Sequence, residues 1–133
     1  MARENARRLG LAERVALHHG DLLEPVAHLA GQVDLIACNP PYVDPSEVGS
    51  LAPEVRDHEP ALALLPKGDR YELYRRLGPQ AAKLLGRQRC LVLEIGQAME
   101  AEVSRLGEQS GFVLERQVRD LQSFPRVLVW RSV

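Results

Sequence analysis

Val33-Asp34-Leu35-Ile36-Ala37-Cys38-Asn39-Pro40-Pro41-Tyr42 is the stretch whose reading decides the fold. Residues Val33 to Cys38 are too continuously apolar for a strand with one wet face, so they read as a buried strand of the parallel-sheet kind. The next residues stop it. Proline fixes φ and removes an N–H, so Pro40-Pro41 makes a stiff turn at the strand's carboxyl end. In open α/β sheets, ligands bind beyond that end.

Elements on either side of this stretch follow the same logic. Residues 2–9 read as a helix with Gly10 beyond its end. Residues 14–18 read as a short strand ending at Gly20-Asp21, and residues 22–29 as a short helix or turn closed by Gly31. Residues 39–68 hold six prolines and little periodicity, the mark of a long functional or disordered loop. Asp69 to Glu72 has the form of a capping box. The helix after it shows Tyr74, Leu77, Ala81, Leu84 and Leu85 on one side, and Gly78-Pro79 should kink or break it. Residues 90–95 form a buried strand stopped by Gly96. Residues 98–110 form a helix with Met99, Val103 and Leu106 inward and Gly111 as its cap. Residues 112–119 and 126–131 are strands too close in sequence for a crossover helix, so they should pair antiparallel. The alternation predicts an α/β domain with helices on a mainly parallel sheet. Its strand ends at Gly20-Asp21, Asn39 to Tyr42 and Glu94 to Gly96 should converge on one crevice.

The 133 residues suit one domain, and a net charge of −1 offers no basic surface for stable nucleic-acid binding. No apolar run approaches the roughly 20 residues that span a bilayer. Met1 to Arg8 is charged and helix-like, unlike a signal peptide. Cys38 and Cys90 each sit in an apolar run and read as buried thiols of a reducing compartment, the cytoplasm. His18 and His19 are adjacent and would point to opposite faces of a strand, and no metal-ligand spacing is present.

The turn carries the chemistry. The Asn39 side chain and the Pro40 carbonyl are two preoriented acceptors, which suit a planar NH2 group with two donors. Tyr42 adds an apolar face against which a flat amide or base packs. An amide nitrogen is a poor nucleophile because its lone pair is delocalised. Accepting both of its N–H bonds raises its electron density and aims it at a methyl group. A sulfonium donor loses its positive charge as transfer proceeds, so catalysis reduces to positioning and electrostatics. The turn therefore predicts an S-adenosyl-L-methionine-dependent methyltransferase acting on a planar nitrogen. A plain Pro-Pro turn capped by tyrosine is the bland alternative, and the placement directly after a buried strand argues against it.

Further stretches add to this turn: Ala2-Arg3-Glu4-Asn5-Ala6, Gly20-Asp21-Leu22-Leu23, Leu51 to Arg56, Glu59-Pro60, Tyr74 to Leu77, Leu93 to Gly96, Arg119 to Leu121 and Arg126-Val127. In this order the chain resembles the catalytic domain of HemK-type protein-(glutamine-N5) methyltransferases, which modify peptide-chain release factors. The resemblance implies a Rossmann-like class I methyltransferase sheet with a C-terminal antiparallel hairpin. It implies a release factor as partner and S-adenosyl-L-methionine as cofactor. Asn39, Pro40 and Tyr42 would be catalytic. Pro41, Glu54, Arg56 and Glu59 would join them on the substrate side. Gly20, Asp21, Leu22 and Asn39 would hold the cofactor. For Glu54, Arg56 and Glu59, a solvated loop with surface ion pairs is an equal alternative.

The family's Gly-rich turn for the methionine part of the cofactor is not among these residues, nor is its ribose-binding acid, and no G-x-G occurs. Residues 1–133 therefore read as one N-terminally truncated catalytic domain, with Met1 as a start placed inside a longer frame. In the family's sheet order 3-2-1-4-5-7-6, residues 14–18 would be strand 3 and residues 33–38 strand 4. The two strands between them are missing, so strand 33–38 should expose an edge. A fragment, a homodimer through that edge, or strand 3 moved beside strand 4 would each answer this. Competing functions are a non-catalytic interaction module, ribosomal-protein glutamine methylation, and adenine-amino methylation of DNA with base flipping.

Overall fold

The computed structural model describes residues 1–133. Four strands, β1 (Val33–Cys38), β2 (Leu85–Glu94), β3 (Phe112–Arg119) and β4 (Pro125–Ser132), form one sheet in the order β1-β2-β4-β3. That is the 4-5-7-6 half of the order implied by the resemblance. The β1–β2 pairing is parallel and the β2–β4 and β3–β4 pairings are antiparallel. The α/β class and the C-terminal hairpin are as expected, although parallel pairing is confined to β1–β2 because the hairpin supplies half of the strands.

Helices α4 (Glu72–Leu84) and α5 (Glu100–Gln109) cover one face. Tyr74, Leu77, Ala81 and Leu84 of α4 meet Val103 and Leu106 of α5 over Ile36, Leu91, Leu93, Leu128 and Trp130 of the sheet. Facing residues fall in register, with Ile36 beside Leu91, Leu91 beside Trp130 and Leu93 beside Leu128. Burying that many apolar side chains is the main drive for the fold. Gly107 lets α5 sit directly on Trp130, since a Cβ there would lie 2.6 Å from the indole nitrogen.

Several expectations are corrected. Residues 14–18 form no strand: they are exposed and unpaired, and they do not lie beside β1. A strand needs a partner for its N–H and C=O groups, and none is within reach. β1 is wet on one side, with Leu35 56% exposed and Ala37 exposed, because no helix covers that face. Cys38 and Cys90 are free and only half-buried. α4 runs unbroken through Pro79. Pro79 is on the solvent side of the helix, so its ring disturbs only exposed backbone. Tyr71, not Asp69, holds the N-cap position of α4, without a side-chain cap bond, and the capping box forms instead at Asp44 and Glu47.

Other features match the reading. Helix α1 (Ala2–Arg8) ends with the Gly10 N–H bonded to the Arg7 carbonyl and the Leu11 N–H to the Ala6 carbonyl. Gly10 has φ +67°, as this Schellman closure requires. Residues 39–68 are a chain of short pieces: a 3-10 turn at Pro45–Ser50, α2 (Pro53–Arg56) and α3 (Ala61–Leu64). No helix is long and apolar enough to cross a membrane.

Candidate active site

At the carboxyl end of β1 the chain turns through Asn39-Pro40-Pro41-Tyr42 and opens a cavity of about 500 Å³. Asn39 is exposed, Pro40 is buried and Tyr42 is half-buried. The Val43 N–H donates to the Leu64 carbonyl at 3.0 Å, which ties the turn to α3. Next comes the Asp44–Glu47 capping box, whose Asp44 carboxylate accepts from the Ser46 N–H at 2.9 Å. The Ser46 hydroxyl, which donates to the same carboxylate at 2.6 Å, and then this N–H hold the Asp44 carboxyl below the usual carboxylate range. Short capped pieces in place of a floppy loop give the cavity a fixed far wall of Val43, Ser50, Leu51, Val55, Ala63 and Leu64.

The near wall comes from the end of β2. The Tyr42 hydroxyl donates to the Glu94 carboxylate at 3.1 Å, and the Tyr74 hydroxyl donates to the Glu94 carbonyl at 2.8 Å. Burial first, then the Glu94 charge and hydrogen bond, push the Tyr42 phenol above the ordinary tyrosine value. Burial also pushes the Tyr74 phenol and the Cys38 thiol up. Both tyrosines therefore stay protonated donors at neutral pH. Gly96 follows, and the Tyr42 ring fills its vacant side-chain space: a Cβ there would lie 2.8 Å from Tyr42 Cδ2. Arg126 lines the cavity and donates to Asp120 at 2.9 Å, locking the β3–β4 loop to this end of the sheet.

The turns after β1 and β2 thus converge as expected, while Gly20-Asp21, which ends no strand, stands beside them. Gly20 and Asp21 line a neighbouring cavity of about 380 Å³ with Leu62, Leu65, Leu73 and Arg76, and Pro41 is the wall common to both. Asp21 is ion-paired with Arg76. Leu22, at φ +47°, packs against the core. Of the loop residues, Glu59 lines the larger cavity but Glu54 and Arg56 do not. Both of those are exposed, Arg56 donates to its neighbour Asp57 at 2.7 Å, and Val55 is the α2 residue facing inward. A four-residue helix presents few faces to a cavity, and the apolar residue takes the inner one.

Sequence reading missed Glu47, Arg70, Gln97 and Arg126 as lining residues. The Asp44-Pro45-Ser46-Glu47 capping pattern was the available signal for the first. Arg70 carries no local signal, since it lies two residues before a helix. His18 and His28 bring their rings to 6.4 Å between centroids.

No family model matches the chain. It is 40% identical over 133 residues to the release factor glutamine methyltransferase of Bradyrhizobium diazoefficiens, across 99% of this chain and 44% of that protein. It is 42% identical over 118 residues to the release factor glutamine methyltransferase of Moorella thermoacetica, across 89% of this chain and 41% of that protein. A bifunctional methyltransferase of Rickettsia felis is 31% identical over 133 residues, of which the chain covers 25%. The chain spans less than half the length of these relatives. Among solved structures, a provisionally named DNA modification methylase from Thermus thermophilus superimposes with a TM-score of 0.52 at 14% identity, covering 77% of this chain and 46% of that one. That likeness is one of fold, the class I methyltransferase fold.

Proposed function

By sequence the chain belongs with the release factor glutamine methyltransferases, and we propose that it carries the glutamine-binding side of that reaction. The reaction is transfer of a methyl group from S-adenosyl-L-methionine to the side-chain nitrogen of a protein glutamine, with a peptide-chain release factor as substrate. The observation that carries this reading is the cavity built on Asn39 to Tyr42, with Tyr42 fixed by Glu94.

In this reading the glutamine amide enters with its NH2 toward the turn. The Asn39 side-chain oxygen and the Pro40 carbonyl each accept one N–H, which fixes the plane of the amide. Tyr42 packs against that plane and excludes water from one side. Electron density withdrawn toward the amide carbonyl is partly returned to the nitrogen by its two acceptors. Glu59 and the wall of Val55, Ala63 and Leu64 bound the peptide around the side chain.

The neighbouring cavity suits part of the methyl donor. Its apolar Leu62, Leu65 and Leu73 and the carboxylates of Asp21 and Glu72 fit a flat heterocycle with an exocyclic amine. Asp21 is shared with Arg76, Gly20 leaves room for the Pro25 ring, and Leu22 supports the turn from the core side. S-adenosyl-L-methionine, when bound, supplies the activated methyl on a sulfonium. Pro41, two residues after Asn39, is the wall between the two cavities, and Asn39 itself lines only the larger of them. Residues 1–133 are in this reading one partial catalytic domain, and a release-factor substrate implies a cytoplasmic setting.

Incubation with methyl-labelled S-adenosyl-L-methionine and release factor, DNA or ribosomal protein tests the reading. Label on a release-factor glutamine, lost in Asn39→Ala, is expected. Label on DNA alone would overturn the choice of substrate. Calorimetry with the cofactor separates an active site from a non-catalytic module: absence of any binding heat sinks the enzymatic reading.

A further inference from the structure

Two arginines line the main cavity, and they differ in how their donors are used. Arg126 is satisfied, with its guanidinium on the Asp120 carboxylate at 2.9 Å and on the Ile95 carbonyl at 3.5 Å. Arg70 is not. Its side chain is only 23% exposed, and its Nε is buried with no hydrogen-bond partner. Its nearest acceptor is the Glu47 carboxylate, 3.6 Å from Nη2, too far for a hydrogen bond. A guanidinium has five N–H donors and no acceptor, so a half-sheltered arginine with no close partner has unused donors beside the cavity.

Its position is fixed by what surrounds Gly96. A Cβ on that glycine would meet Tyr42 Cδ2 at 2.8 Å and Arg70 Nη2 at 3.4 Å. The guanidinium tip and the Tyr42 ring therefore flank the same point of the wall. Resting on the reading of this cavity as a glutamine site, we propose that Arg70 is a further binding residue, which donates to an amide carbonyl oxygen of the substrate peptide.

The charges around it choose the ligand. Glu47 and Glu59 both line the cavity, and Asp120 already neutralises Arg126. A carboxylate entering here meets two like charges, while Arg126 is paired with Asp120 and the Arg70 charge is already balanced loosely by Glu47. A neutral amide carbonyl accepts from Arg70 and brings no charge with it. The loose Glu47 contact lets the guanidinium turn toward the peptide without breaking a formed hydrogen bond. A planar fork can hold such an oxygen with two N–H groups, which an ammonium on a flexible stem does not reproduce.

The test is fluorescence polarisation with a dye-labelled peptide bearing one central glutamine between neutral residues. Wild type, Arg70→Met, Arg70→Lys and Asn39→Ala are compared, each with its melting temperature. Arg70→Met keeps the stem and is expected to weaken peptide binding by about 10-fold or more. Its melting temperature should stay level or rise, because a buried orphan N–H is gone. Arg70→Lys should recover little of the affinity, and it serves in place of Arg70→Met if that variant melts early. Arg70→Met binding within about twofold of wild type, while Asn39→Ala loses the peptide, rejects Arg70 and leaves the glutamine reading standing. Equal binding, or equal absence of binding, by wild type and Asn39→Ala rejects both. Tighter Arg70-dependent binding of a peptide with glutamate in place of glutamine overturns the neutral-carbonyl assignment.

Discussion

Tyr42 is held by two neighbours that do different things. Gly96 gives its ring room, and the Glu94 carboxylate accepts its hydroxyl hydrogen bond at 3.1 Å. Gly96→Ala would drive a methyl into both the Tyr42 ring and the Met99 sulfur, each 2.8 Å from the new Cβ. Overpacking of this kind costs about 1 to 3 kcal/mol. The urea midpoint should fall accordingly, and an unchanged midpoint with unchanged peptide binding would contradict this account of the wall. The Tyr42 phenol supplies a second test. Its folded value is raised above the unfolded one, first by burial and then by Glu94. Its contribution to stability is therefore whole below the ordinary tyrosine value and is lost as pH climbs through the raised value. An ultraviolet titration should show tyrosines ionising above the ordinary range in the folded protein and reverting in urea. Glu94→Gln removes the charge, so the Tyr42 step should move down toward the ordinary value, while Tyr74, raised first by burial and only in small part by Glu94, should stay raised. At this scale the sequence was informative about Asn39 to Tyr42 and Glu94 to Gly96, because both are punctuation at strand ends. It was silent on Arg70, whose role depends on which distant residues surround its tip.

Helix α4 shows what periodicity reveals and what it hides. Tyr74, Leu77, Ala81 and Leu84 were legible as one face because a 3.6-residue repeat survives any tertiary context. Continuity through Pro79 was not, because the rule that proline breaks helices ignores which side of the helix it occupies. Here Pro79 is exposed, and the price is an Arg75 carbonyl without its intrahelical donor. Pro79→Ala restores that N–H and should raise stability by about 1 to 3 kcal/mol. Chemical denaturation measures this, and a fall in stability would mean that proline's rigidity outweighs the lost hydrogen bond. Helix α5 makes the opposite demand. Gly107 is helical and weakens helix propensity, yet it brings α5 against Trp130, which is fully buried. Gly107→Ala should therefore destabilise by about 1 to 3 kcal/mol despite alanine's better propensity, since packing against the indole wins. The capping boxes teach the same lesson as Pro79. Asp69 to Glu72 and Asp44 to Glu47 both fit the pattern, and only the second closes. Asp69 instead accepts from the Tyr71 N–H at 2.8 Å and pairs with Arg75, so its carboxylate was engaged elsewhere.

At the scale of the whole molecule, β1 sits at the end of the sheet with a free edge. Its composition reads as doubly buried, yet only Ile36 on one face is buried in the core while Leu35 and Ala37 on the other are exposed. Composition records the burial a strand is suited to, and the chain's own layers decide how much of it is realised. Residues 14–18 follow the same rule: Val15 and Leu17 alternate as a strand requires, yet they are 41% and 43% exposed because nothing pairs with them. A free edge beside exposed apolar residues is a template for pairing with another chain. The chain should therefore associate with itself through residues 33–38 as its concentration rises, measurable by sedimentation velocity. A lysine on that strand should discourage the pairing. Leu35→Lys replaces a side chain already 56% exposed, so it should change the stability measured by urea unfolding by no more than about 0.5 kcal/mol. It should also return the protein to a monomer. A parent chain that stays monomeric at every concentration would show that the twist of the sheet already protects this edge.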